Sequence, residues 1–149
     1  MKLVLALTLA LVAAAAQAVD STDAPARTDR VASARKAIAA QDWNLAVREL
    51  QRAVRDTPRD ADAHNLLGYS YRKRANPDIA KAFEHYEMAL KINPQHKGAH
   101  EYIGEAYLIE KKPAEAEMHL VELEKICGGR GCEEYQDLAK SISEYKARN

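Results

Sequence analysis

His64-Asn65-Leu66-Leu67-Gly68-Tyr69-Ser70-Tyr71 returns 36 positions later as His100-Glu101-Tyr102-Ile103-Gly104-Glu105-Ala106-Tyr107. The two octets keep His, Gly and Tyr in place and an aliphatic residue before the glycine, while the positions between them change freely. Ala46, Leu50, Ala53 and Pro58 likewise return as Ala82, Tyr86, Ala89 and Pro94 at the same period. A unit of this length repeated along a chain is the mark of a solenoid, in which each unit buries its apolar face against the next. Such arrays usually bind rather than catalyse.

From Asp29 onward the apolar residues recur at helical spacing, and Pro and Gly fall mainly at breaks. The pattern predicts helices over Asp29–Ala40, Trp43–Asp56, Ala61–Arg74, Pro77–Ile92, Lys97–Lys111, Pro113–Ile126 and Glu133–Lys146. Pro77 and Pro113 suit first-turn positions, where a missing N–H costs nothing. Pro58 and Pro94 follow helices and stop them.

Paired helices with this spacing resemble the tetratricopeptide repeat, over about Arg27 to Gly128. The resemblance implies an all-α, right-handed solenoid of three helix pairs, at about 27–60, 61–96 and 97–128, with residues 129–149 forming a cysteine loop and a capping helix. The matching residues are His64, Leu67, Gly68, Tyr71, Ala82, Tyr86, Ala89 and Pro94 in the second pair and His100, Ile103, Gly104, Tyr107, Ala116, Leu120 and Leu123 in the third. The first pair matches only in its second half, which suits an end repeat with no predecessor. Gly68, Gly104, Ala82, Ala89 and Ala116 are expected where two helices approach closely, with Leu67, Tyr71, Ile103, Tyr107, Tyr86 and Leu120 filling the space beside them. Tyr71 to Ala82 spans 11 positions and Tyr107 to Ala116 spans 9, so two extra residues fall in the loop Arg74-Ala75-Asn76-Pro77.

Lys2, the apolar run Leu3 to Ala16 and the small-residue site Ala16-Gln17-Ala18 form the pattern of a secretory signal peptide. The run is shorter than the roughly 20 apolar residues of a spanning helix, so the expectation is cleavage after Ala18, no stable membrane anchor and a flexible leader over residues 19–28. The chain has 22 basic and 22 acidic side chains; losing Lys2 and no acid leaves 21 against 22. Nucleic-acid binding calls for a basic excess, and none is present.

Cys127-Gly128-Gly129-Arg130-Gly131-Cys132 holds the only two cysteines. Export to an oxidising compartment predicts a structural disulfide that pins the cap. The alternative is a thiol-disulfide redox pair, since Cys132 precedes a helix and the dipole there favours thiolate. Glu133 and Glu134 oppose it, and the two-residue spacing of disulfide oxidoreductases is missing. No His follows Cys132 as haem attachment requires, and the same glutamates disfavour a phosphate at the glycine loop. The phrases Asn65-Leu66-Leu67-Gly68 and Gly98-Ala99-His100-Glu101-Tyr102, joined to a cysteine pair and Glu-Glu-Tyr, also resemble small exported bacterial tetratricopeptide proteins. That likeness implies a Gram-negative periplasm.

No metal, cofactor or catalytic residue is expected. His96 and His100 lie four apart, but His96 precedes the helix holding His100, and no recognisable ligand set is completed. His64 and His100 are read as packing residues, His85 and His119 as ordinary helix-surface or boundary residues. Ser70 lacks the strand-to-helix turn that exposes a nucleophile.

The remaining face of each first helix is the candidate groove: Val31, Arg35 and Ile38, then Asn65, Tyr69 and Arg72, then Glu101, Glu105 and Leu108. The expected partner is another protein or a peptide, held through Tyr69, Arg72, Asn65 and Arg35, with Glu101 and Glu105 excluding acidic ligands.

Overall fold

A computed structural model describes residues 27–149, and side-chain environments from Arg30 onward. The expected signal peptide and nearly all of the leader lie outside the described residues. Seven helices follow one another: α1 (Arg27–Ala39), α2 (Trp43–Asp56), α3 (Ala61–Lys73), α4 (Ile79–Ile92), α5 (Lys97–Ile109), α6 (Pro113–Ile126) and α7 (Glu133–Arg148). There is no strand among the described residues, and none of these helices is long and apolar enough to cross a membrane.

Local chemistry sets the helix starts. Asp42, Asp60 and Asp78 accept the backbone N–H of Leu45, Ala63 and Lys81 at 3.0–3.1 Å, and His96 Nδ1 accepts that of Ala99 at 3.1 Å. Each such cap satisfies a donor that the first turn leaves orphaned. At α6 the cap residue Lys112 makes no side-chain bond, and Pro113 takes the first turn instead. Several helix ends shift by one or two residues from the expected ones, and the start of α4 does so for a chemical reason. Pro77 stands outside α4, because the Asp78 carboxylate caps the helix and its backbone N–H donates to the Tyr71 carbonyl at 3.2 Å.

The α1–α2 and α5–α6 hairpins use the same turn. Gln41 and Lys111 sit in the left-handed region at φ 57° and 58°. The next residue in each donates back to the helix, Asp42 N to Ala37 O at 2.8 Å and Lys112 N to Tyr107 O at 2.9 Å. Between α3 and α4 the longer Arg74–Pro77 loop replaces that turn.

Consecutive helices pack as antiparallel hairpins, and the hairpins stack into a solenoid. The first helices also touch across hairpins, α3 with α5 and α5 with α7, whereas the second helices make no comparable contact. The stack therefore curves with α1, α3, α5 and α7 on its inner side. One apolar cluster runs through α1 to α5, with Leu50, Leu67, Tyr86 and Ile103 fully or almost fully buried. A second joins α5 and α6 to α7 through Leu108, Ala116, Leu123, Tyr135, Leu138 and Ile142.

The two repeat glycines face different neighbours. A Cβ on Gly68 would lie 2.7 Å from the Tyr86 ring and 2.9 Å from the Ala82 carbonyl, both in α4, while one on Gly104 would lie 2.7 Å from Leu138 of α7. Leu120 takes the place of Tyr86 in the third hairpin and is only half-buried, as is Tyr107. The shorter side chain leaves the space that Leu138 enters. Cys127 closes α6, Cys132 opens α7, and a disulfide joins them.

Candidate functional site

The expected groove residues separate into three groups. Arg35 is exposed on α1. Asn65 is buried, and its Oδ1 has no hydrogen-bond partner among the described residues. Leu108 is only 9% exposed and belongs to the cluster under α7. It packs under the capping helix and also lines, with Arg72 and Glu105, a cavity between α5 and α7.

Arg72 and Glu105, expected to face a partner separately, hold each other. Arg72 Nη2 donates to Glu105 Oε2 at 2.5 Å, its Nε donates to the Tyr86 hydroxyl at 3.2 Å, and Glu105 Oε1 accepts from Ser141 Oγ at 3.2 Å. The guanidinium also lies over the Tyr69 and Tyr102 rings, 5.5 and 5.6 Å from their centroids. Burial opposes the Arg72 charge, but Tyr86 and Glu105 outweigh it and hold its pKa above the usual value. This network ties α3, α5 and α7 together, so Arg72 shapes the groove from beneath.

Arg72 and Glu105 also line a cavity of about 450 Å³ with Leu108, Ser141, Tyr145 and Arg148, and beyond them the inner face carries aromatic and acidic side chains, with Lys73 Nζ 5.9 Å from the Tyr69 ring centroid. Tyr69 is half-buried, stacked on Tyr102 at 4.7 Å between centroids and set edge-on to Trp43 at 5.8 Å. Beside them stands Glu101. Burial, then the fields of Glu105, Asp137 and Glu134, push its carboxyl up to about 8, against the pull of Arg72. Burial foremost, then Glu101 and Tyr69, raises Tyr102 to about 12. Sequence reasoning missed Tyr102, which occurs where the second repeat has Leu66, and it missed Asp137 and Glu134 because α7 was read only as a cap. The helical stripe Glu134, Asp137, Ser141 carried that signal.

The histidines also depart from expectation. His64 and His100 are buried as packing residues, but His85 and His119 are their hydrogen-bond partners rather than ordinary surface residues. His64 Nδ1 meets His85 Nδ1 at 3.1 Å, and His100 Nδ1 meets His119 Nδ1 at 2.9 Å. The Nε2 of His64 lies 3.1 Å from the Pro58 carbonyl and that of His100 lies 3.0 Å from the Pro94 carbonyl. A carbonyl only accepts, so both Nε2 atoms carry hydrogen and both Nδ1 atoms accept from the α4 or α6 partner. Tyr71 stacks on His85 and Tyr107 on His119.

Residues 31–97 match the family model for the tetratricopeptide repeat. Over that stretch the chain is similar to tetratricopeptide repeats. Among solved structures it is similar to the TPR2B domain of yeast Sti1 in its pHsp70 complex, at 14% identity and a TM-score of 0.73, covering 83% of this chain and 98% of that one. It is similar also to the first tetratricopeptide domain of Spaghetti (RPAP3) bound to the HSP90 peptide SRMEEVD, at 15% identity and a TM-score of 0.70, covering 84% and 96%. Likeness at such identities concerns the fold of the tetratricopeptide array. No curated protein matches the chain.

Proposed function

We propose that this chain is an exported scaffold that holds a segment of another protein along the inner face of its tetratricopeptide array. The observation that carries the reading is the Tyr69–Tyr102 stack standing beside Glu101, with Lys73 Nζ already 5.9 Å from the Tyr69 ring centroid as a cation would be in a bound partner. The charges of Asp137 and Glu134 act on Glu101, while Arg72, which acts on it with the opposite sign, is paired with Glu105. Stacked rings supply an anchor of low conformational cost, and Asp137 and Glu134, joined by Glu101 once an arriving cation draws off the proton that its raised pKa retains, favour a Lys or Arg beside it through charge and cation–π attraction. The peptide in the Spaghetti complex is acidic; the groove of this chain has the sign to reject such a ligand.

Export rests on the Lys2, Leu3–Ala16 and Ala16-Gln17-Ala18 pattern, and the periplasm on the resemblance to small exported bacterial proteins. Fractionation with N-terminal sequencing of the mature product tests that part.

The groove is tested with a peptide array graded from acidic to basic, each peptide carrying one aromatic or long aliphatic residue. Basic peptides are expected to bind, and Tyr69→Ala with Tyr102→Ala to weaken them at least tenfold. Equal binding by the variant, or a preference for acidic peptides, refutes the reading.

A further inference from the structure

The two histidine pairs are built alike but sit in opposite fields. The second member recurs at a spacing of 34, His85 to His119, and the same spacing carries Lys81 to Glu115. Lys81 lies over the Tyr71 ring that stacks on His85, and its charge disfavours protonation of that histidine. At the third repeat the reversal is complete. His100 and His119 open on a cavity of about 170 Å³ lined also by Tyr107, Glu115, Met118 and Glu122. Glu122 acts on His119 as an attractive charge, though it also holds Lys125 at 2.6 Å.

We propose that His100 and His119 form a two-imidazole site for a divalent first-row transition cation of the Cu²⁺ or Ni²⁺ type. Their Nδ1 atoms lie 2.9 Å apart. Cis ligands of one ion at about 2.0–2.1 Å, meeting near a right angle, have that separation. The Pro94 carbonyl fixes the tautomer of His100 by holding its Nε2–H, which is the outer support that metal-bound histidines normally have. The ion replaces the bridging hydrogen: the His119 ring proton moves from Nδ1 to Nε2, both rings stay neutral, and the two Nδ1 lone pairs turn toward the metal. No net proton is released. Water fills the other positions, and Glu115, Glu122 and the exposed Met118 thioether supply negative charge and a soft contact at the cavity mouth. Cys127, Cys132 and Glu134 are also close enough to share an ion, but the two sulfurs are bonded to each other and are not thiolate ligands.

The test uses the exported chain with its disulfide closed. Substoichiometric Cu²⁺ is expected to broaden the NMR ring signals of His100 and His119 first and to leave those of His64 and His85 sharp. Ni²⁺ calorimetry is expected to show one site that His119→Gln weakens at least tenfold and His85→Gln leaves unchanged. Broadening led by any other histidine or by the chain terminus, equal loss in the two variants, or no measurable site overturns the proposal. The NMR arm reads the unaltered protein, so a variant that fails to fold leaves the answer intact.

Discussion

Leu138 of α7 lies where a side chain on Gly104 of α5 would stand, 2.7 Å from the position of its absent Cβ. At Gly68 the corresponding space is taken by the Tyr86 ring and the Ala82 carbonyl. A branched side-chain tip yields, whereas a buried ring and a backbone oxygen do not. Alanine in mid-helix is better than glycine by about 1 kcal/mol, and overpacking costs about 1–3 kcal/mol. Gly68→Ala is therefore expected to destabilise by about 1–2 kcal/mol and Gly104→Ala to be close to neutral, as read by urea denaturation.

The Arg72–Glu105 pair predicts an asymmetric cost. The Arg72 side chain is 8% exposed and that of Glu105 is 25% exposed. Removing Glu105 strands a buried cation, whereas removing both partners does not. Losing one partner of a fully buried pair costs about 3–5 kcal/mol; the partial exposure of Glu105 lowers the expectation for Glu105→Ala to about 2 kcal/mol. In a double-mutant cycle, Arg72→Met with Glu105→Ala should cost less than the two changes taken separately.

Acid is expected to weaken the fold through the histidine pairs. His85, facing His64, Tyr71 and Lys81, and His119, facing His100, Tyr107, Glu115 and Glu122, both have pKa values lowered to about 4, burial being the main cause and the neighbouring histidine the next. The unfolded chain takes these protons near pH 6.5. Stability is thus fully present above that value and lost as pH falls toward 4. Thermal denaturation at pH 7.5, 5.5 and 4.5 checks the slope, which His85→Gln with His119→Gln should flatten.

Glu101 runs the other way. Its folded pKa, raised to about 8 by burial and by Glu105, Asp137 and Glu134, means that the folded state binds the proton more tightly than the unfolded one. Its contribution is present below about pH 4.5 and lost as pH rises through 8. Glu101→Gln is expected to leave Tm unchanged near pH 4 and to raise it at pH 9.

Opening the disulfide should loosen one end only. A loop this short contributes about 2 kcal/mol in the chain-entropy model, and Cys127 and Cys132 join α6 to α7 without touching the first two hairpins. Cys127→Ser with Cys132→Ser is expected to speed hydrogen exchange in α7 while α2 and α3 keep their protection.

The helices were legible because their signals are local: aspartate caps, prolines at breaks and apolar residues at helical spacing. Pro77 misled because a cap residue follows it at once, and Asp78 had the better claim to the helix start. The site was less legible. Arg72 meets Glu105 at a separation of 33 residues and His64 meets His85 at 21, distances at which no periodic pattern pairs side chains. Helical phase places Leu108 beside Glu101 and Glu105, and only the position of α7 shows that it is mostly covered while still lining a cavity with Arg72 and Glu105.

α7 packs on both α5 and α6, as α5 packs on both α3 and α4, but it leans much more heavily on α5. It takes the place that the opening helix of a fourth unit would take. The array is therefore extensible at a known seam: another hairpin spliced between Ile126 and the cysteine loop would present α7 with a surface of the kind it already covers, and would lengthen the inner wall without altering its end.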